Sequence, residues 1–434
     1  MGWVEAEGFR ILFDPQLSGS HHQGLFRVFP ERHFARELQP DLVVVSHRHP
    51  DHFDVASLAR LGKRNPVLVT PDLFVGQVAE RLGFSVCILR NYEPLRLDGL
   101  TLLPTPSFCK VVEWGMMLHS RRGWLWNQVD TELQSPERVA EVLGRARTVL
   151  GEKGSPDLAI VRWQPLHEVE PVLGGAMGFP LRDWERQLQL AVATGAQNFI
   201  TGSAGFAYTR GRGWQDHSTF PGTEAMFARD LRALRPEATV WEARVGAVWE
   251  LDGGVREGED ADWVHIEEEE DPRLFLPWEL PSLTDPRAVS ETERQGVERW
   301  LSEELYPALV RAWPGWGPGR ELCLGLRIVG PEGPRDRSLR VDGEKVREEA
   351  GLRPDYDAVV GITLSGLAGV IDGRLHWGTV LLGGELRATQ RLWVVRDQGL
   401  RKLPFPAIFL YEALGYEASF ERMIWRQVEE LLAT

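Results

Sequence analysis

Ser46-His-Arg-His-Pro-Asp-His-Phe-Asp54 is the stretch on which the reading of this chain turns. It follows Asp41-Leu-Val-Val-Val45, a β-branched apolar run that reads as a buried strand ending in a turn. His47 and His49 stand two residues apart on extended chain, so their side chains point the same way. Asp51 and His52 are expected to open a helix in which Phe53, Val55, Leu58 and Leu61 recur at helical spacing, with Gly62 as its stop. The segment is therefore strand, ligand loop, helix. Two imidazoles can hold one borderline cation, while Asp51 and His52 can hold a second close by. A paired site of this kind makes a nucleophile of water near neutral pH and polarises a substrate oxygen. The plain alternative is a polar turn whose Asp51 caps the following helix.

The run resembles the His-x-His-x-Asp-His signature of the metallo-β-lactamase fold. The resemblance extends from Gly2-Trp-Val-Glu-Ala-Glu-Gly-Phe-Arg-Ile-Leu-Phe-Asp-Pro15 to about Gly254. It implies an α/β fold, an αββα metallo-β-lactamase sandwich, with metal ligands His47, His49, Asp51 and His52. Asp51 is also the catalytic candidate. Gly123-Trp-Leu-Trp-Asn-Gln-Val-Asp-Thr131 resembles the family strand that delivers an aspartate between two metals, which makes Asp130 a fifth ligand. Asp14-Pro15 sits where the family ends a strand beside the metals, as a supporting residue or as an ordinary Asx turn. Gly2-Trp3 already lies in what resembles the family's second strand, so either that sheet edge is trimmed or another segment or protein completes it.

The chain departs from the family where a third histidine for the first metal follows the strand Leu100-Thr-Leu-Leu-Pro-Thr-Pro-Ser107, because Ser107 stands there instead. His119 could reach the site only if its loop folds back. His217, in Gly213-Trp-Gln-Asp-His-Ser-Thr-Phe-Pro-Gly222, is the preferred last ligand, with His167 as the runner-up. His21 and His22 are expected near the metal mouth and exposed. A missing protein ligand leaves a position for water or substrate.

Within the fold, the opening Gly-Trp-Val-Glu, the Ser-His-Arg-His-Pro-Asp-His run and the Asn-Gln-Val-Asp strand resemble bacterial relatives of the metallo-β-lactamase-like domain of CMP-N-acetylneuraminate hydroxylases. Those proteins pair this domain with a Rieske module. Cys87, Cys109 and Cys323 are scattered and lack close Cys-His pairing, so no Rieske signature occurs here and oxygen chemistry would need an external reductant.

The 434 residues suffice for two or three domains, and 43% hydrophobic content supports substantial cores. A formal charge of −14 without a long basic run argues against a nucleic-acid backbone as principal partner. The unpatterned cysteines indicate a reducing compartment, and the lack of a spanning apolar run or leader points to a cytoplasmic protein.

Strands and helices alternate through the first half: helices are expected over 73–82, 136–150 and 181–194, and a closing hairpin over 239–251. Gly253-Gly254 and the acidic runs 257–262 and 267–271 mark a composition shift. The expected division is a metallo-β-lactamase-like domain at 1–255, an acidic linker and helical connector at 256–318, and a smaller α+β domain at 319–434. The last part resembles a sterol-carrier-type domain, which implies an apolar cleft. Trp393, Phe405, Phe409, Leu410, Tyr411, Phe420 and Trp425 are candidates to line that cleft or to cover the metal site.

Three functions are compatible with this reading. One is a hydrolase with one or two divalent ions, zinc or iron with manganese as an option, acting on an ester, amide or phosphoester. Another is a diiron oxygenase component served by an external Rieske or ferredoxin reductant. The third is a non-catalytic scaffold with a protein partner. A small or amphiphilic substrate fits the first two, and no membrane span is expected.

Overall fold

The computed structural model describes all residues except 176, 203–204, 210–211, 277–278, 317–319, 397–398, 403–414 and 434. Two compact units emerge: Met1–Leu166 with Gly178–Pro277, and His167–Met177 with Trp278–Thr434.

In the first unit, one five-stranded sheet has the order Gly2–Ala6, Phe9–Phe13, Leu42–Val44, Val67–Thr70, Ser85–Ile88. Its first pair is antiparallel and the rest parallel. A seven-stranded sheet runs Thr239–Trp241, Asn198–Gly202, Leu158–Arg162, Gly123–Asn127, Trp114–Ser120, Leu100–Pro106, Leu95–Leu97. Period-two alternation gives each sheet two apolar faces. Ile11, Phe13, Leu42, Val44 and Val69 of the first sheet pack against Leu100, Leu102, Trp114, Met116 and Leu118 of the second. The opposite face of the second sheet buries Leu103, Met117 and Trp126 under Val139, Val142, Leu143 and Ala146 of the Pro136–Leu150 helix. Farther along that face, Trp163, Phe199 and Val240 meet Trp184 and Leu188 of Leu181–Ala193, and Phe227 and Leu231 of Glu224–Leu234. On the first sheet, Leu73–Arg81 lies close to Ser85–Ile88, where a Cβ on Gly76 would stand 2.9 Å from Ile88 and 3.2 Å from Val86. The result is an αββα sandwich, two packed sheets with helices on their outer faces.

Two local expectations change. The 239–251 stretch does not form a hairpin: Thr239–Trp241 adds to the large sheet parallel to Asn198–Gly202, and Trp249–Leu251 pairs with Val255–Glu257. The helix after the histidine run begins at Val55, not at Asp51. Asp54 is its N-cap, accepting from Ser57 N at 2.9 Å, because its side chain sits three residues before a free helical N–H.

The second unit is built on a five-stranded sheet ordered Val346–Ala350, Gly333–Val341, Leu322–Gly330, Ala358–Thr363, Leu386–Gln390. Its core joins Leu324, Leu326, Ile328, Val360 and Ile362 of the sheet to Val297, Leu301, Leu305 and Leu309 of helical turns in the 291–316 stretch. The Glu291–Trp300 helix opens with a capping box made by Ser290 and Glu293. Of the aromatics expected at an apolar cleft, Phe420 is buried and Trp393 exposed. Trp425 lines a groove of about 550 Å³ whose other walls include Asp372, Glu421, Arg422 and Arg426, so this groove is charged. Phe405, Phe409, Leu410 and Tyr411 lie outside the described residues. Among the described residues, no helix is long and apolar enough to cross a membrane.

Candidate metal centre

The centre forms where strands of both sheets end. Phe9–Phe13 delivers Asp14, Leu42–Val44 leads into the histidine run, and Gly123–Asn127 leads to Asp130. Asp14 and Val129 both take left-handed backbone, at φ 44° and 53°. For a β-branched residue such as Val129 that conformation is strained, and such strain collects at functional sites. Asn127 Oδ1 holds it by accepting from Val129 N at 3.1 Å.

Ligand atoms of His47, His52 and Asp130 all lie within 4.8 Å of one another. His52 Nε2 is 3.0 Å from Asp130 Oδ2 and 3.1 Å from Asp51 Oδ2. His47 Nε2 is 2.9 Å from His49 Nδ1, with the rings edge to face at 4.5 Å. Between them the chain bends at Arg48, whose Nη donates to Asp72 Oδ1 at 2.9 Å. Asp72 also caps the Leu73–Arg81 helix, accepting from Phe74 N at 2.8 Å. The pair thus anchors the middle of the histidine run to the neighbouring helix.

Asp14 supports the site from behind. It accepts from Ser46 N at 2.8 Å and Ser46 Oγ at 3.1 Å, and its Oδ2 lies 3.0 Å from His52 Nδ1. A proton shared on that side leaves Nε2, which faces Asp130, as the nitrogen available to an ion.

The electrostatics suit a cation. Burial pulls the His52 imidazole down, but Asp51, Asp130 and Asp14 outweigh it and hold its pKa well above the ordinary value. Burial, followed by the positive charges of His52 and His49, pushes His47 well below it. Burial opposes ionisation of Asp51 and Asp130, yet His52 keeps both carboxyls below their usual range. His47 therefore offers a neutral nitrogen, while Asp14 on the Nδ1 side and Asp51 and Asp130 on the Nε2 side favour the charged form of His52. Imidazole nitrogens with carboxylate oxygens suit zinc, iron or manganese, so these residues fit a divalent ion.

Other candidates fall elsewhere. Ser107 Oγ donates to Glu113 and accepts from Glu132 N at 2.9 Å, holding the strand end near Asp130. His119 pairs across the sheet with Thr101, while Trp114 pairs with Pro106, so His119 is at the end of its strand remote from Ser107. There it meets Glu152 at 2.8 Å. His217 lies in the Gly213–Thr219 helix, where its carbonyl accepts from Leu276 N at 3.1 Å, and is not in the His47–His52–Asp130 cluster. His167 falls in the second unit, buried, with Glu170 at 4.0 Å. Burial raises the Cys109 thiol pKa, the opposite of activation.

His21 and His22 are buried rather than exposed, their Nδ1 atoms 2.8 Å apart. Phe26 packs against both rings at 5.3 and 5.0 Å, and Phe206 against His21 at 6.1 Å. Burial lowers the His21 pKa to about 4. Arg32 and Arg48 were not singled out by sequence reasoning. Arg48 carried a signal, since it alternates with two ligands. Arg32 carried none.

No family model and no curated protein matches the chain. Solved structures of metallo-β-lactamase-fold proteins and metal enzymes are among those similar to it, at low identity. CmlA, a diiron β-hydroxylase from Streptomyces venezuelae, is 16% identical over 56% of this chain and 50% of its own, with a TM-score of 0.38. The chain thus spans about half the length of CmlA. The isothiocyanate hydrolase from Delia radicum gut bacteria is 15% identical over 60% of this chain and 96% of its own, TM-score 0.38. The metallo-β-lactamase fold protein YhfI from Bacillus subtilis is 14% identical over 50% and 78%, TM-score 0.33.

Proposed function

We propose that the protein is a metal-dependent hydrolase acting on an ester, amide or phosphoester. His47, His49, Asp51, His52 and Asp130 are the residues that would hold one or two divalent ions, zinc or iron with manganese as an option. The observation that carries this reading is the convergence of His47, His52 and Asp130 within a ring of three carboxylates. When bound, such an ion supplies Lewis acidity for a carbonyl or phosphoryl oxygen and acidifies water. Asp14 fixes the His52 ring and its tautomer through Nδ1. Asp51, ionised and within 3.1 Å of His52 Nε2, is the group placed to accept a proton from an attacking water. His217, which like His49 and Asp51 lies outside the His47–His52–Asp130 cluster, is kept in this proposal as a further ligand.

Metal analysis of protein purified without added metal tests the reading. His49→Ala should remove both metal and turnover, and fully active metal-free protein would refute it.

A diiron oxygenase component, akin to the CMP-N-acetylneuraminate hydroxylase domain, is the second reading. It is favoured by a donor set free of thiolate, which suits iron as well as zinc. Reduction-sensitive optical bands support it, and zinc alone in protein from iron-rich medium opposes it. A scaffold role predicts metal-free protein with a stable partner. The free cysteines agree with a reducing, cytoplasmic location, and the net charge with a small or amphiphilic substrate rather than nucleic acid. We assign the sterol-carrier-like role to the second unit on its mixed sheet and flanking helices.

A further inference from the structure

Arg32 belongs to the short strand Arg32–Phe34, whose partner is Val264–Ile266. One guanidinium nitrogen donates to Gln16 O at 2.9 Å, in the loop that follows Asp14. Its Nε is buried and has no acceptor. Among the described residues, no carboxylate forms an ion pair with it. The guanidinium is close enough to His21 to act on it electrostatically, and His21 feels Asp51 and His52 as well. Arg32 therefore stands on the His21 side of the metal centre, next to the loop that begins at Asp14.

The guanidinium is half-buried and its enclosed Nε has no acceptor, an expensive arrangement because buried donors in folded proteins almost always find partners. Burial lowers the Arg32 pKa to about 10, which still leaves it charged at neutral pH. His21 is neutral there, and Arg32, with His52 and the amino terminus, is among the positive charges that act on it. The Arg32 Nε–H is one tooth of the planar fork that matches two oxygens of a carboxylate or phosphate.

We propose that Arg32 binds an oxyanion group, carboxylate or phosphate, on the molecule handled at the metal centre. The substrate is then an anionic ester, amide or phosphoester, and calling the ligand a substrate rests on the hydrolase reading above. The anion supplies the acceptor that Nε lacks, and it orients the rest of the molecule toward His52 and Asp51.

Inorganic phosphate and glutarate, titrated calorimetrically into zinc-loaded and chelator-stripped protein, test this. Arg32→Met should weaken the better titrant about tenfold or more. Arg32→Lys, which keeps the charge but loses the fork, should fall between, with zinc content and melting temperature unchanged. The preferred titrant distinguishes phosphate from carboxylate. Equal binding by wild type and Arg32→Met, or binding of neither anion by wild type, overturns the proposal. So does an anion lost in His47→Ala but indifferent to Arg32, because it sits on the metal alone. If zinc never binds, the hydrolase reading falls on the metal analysis. The stripped-protein titrations then judge Arg32 by themselves. If Arg32→Met does not fold, unweakened binding by Arg32→Lys decides against the proposal.

Discussion

Replacing Asp14 by asparagine separates the role of this residue in shaping the metal centre from its role in the fold. Asp14 Oδ1 accepts from Ser46 N at 2.8 Å, and an asparagine oxygen can do the same. Asparagine also tolerates the left-handed backbone at φ 44° better than most residues. The fold should therefore lose no more than about 1 kcal/mol. The Oδ2 position changes more. It faces His52 Nδ1 at 3.0 Å, and an amide NH₂ there turns an acceptor into a donor. His52 must then keep Nδ1 unprotonated and carry its proton on Nε2, the nitrogen that faces Asp130. Changes to groups that orient metal-binding histidines typically cost about 10–100-fold in metal affinity. That range corresponds to roughly 1.4–2.8 kcal/mol. Zinc competition against a chelator gives the affinity, and thermal melts of the metal-free protein give the stability. Asp14→Ala serves as contrast, since it strands the Ser46 N–H at about 1–3 kcal/mol and should lower the melting temperature as well. A folded Asp14→Asn protein with wild-type zinc affinity would show that the His52–Asp14 contact does not set the binding tautomer.

Gly115→Ala should destabilise the first unit by about 1–3 kcal/mol in denaturant titrations, because a Cβ there would lie 2.8 Å from Thr105 Oγ1 and 3.0 Å from Asn127 O, beside the strand leading to Asp130. Asp54→Ala removes the cap of the Val55–Gly62 helix and the acceptor that Ser18 Oγ meets at 2.8 Å, and should cost about 1–2 kcal/mol by the same measurement. Glu224 is half-buried, accepting from Thr201 Oγ1 at 2.9 Å and Ala243 N at 3.1 Å; burial outweighs these bonds and raises its pKa. The folded state then holds this proton more tightly than the unfolded one, so the cost of ionising it grows as pH rises from the ordinary carboxylate range through the raised value. Glu224→Gln should accordingly raise the melting temperature more at about pH 8 than at about pH 4, and an equal shift at both would contradict the burial argument.

Much of the candidate centre was legible because its histidines and Asp51 crowd into one turn. The apolar run before His47 and the strand ending near Asp130 gave the two attachment points, since period-two burial shows on a sequence. The helix start was misplaced by four residues. Asp51 and Asp54 are chemically equivalent as caps, and only the position of Ser57 N selects between them. His21 is covered in part by Phe206, which lies about 185 residues away and leaves no local pattern. Arg32 was invisible for the same reason. Its strand is three residues long and pairs with Val264–Ile266, far along the chain. Nor does an unpartnered Nε register in composition or spacing.

His52 and Asp130 are 78 residues apart in sequence and follow strands of different sheets. An ion shared by them is a removable cross-link between the two halves of the sandwich. It closes a long loop of chain and withdraws conformational freedom from the unfolded ensemble. Such an ion can bind with full strength only after both sheets have met, so it rewards completed folding rather than nucleating it. Metal supply would then govern how long the folded protein survives before it governs how fast the protein works.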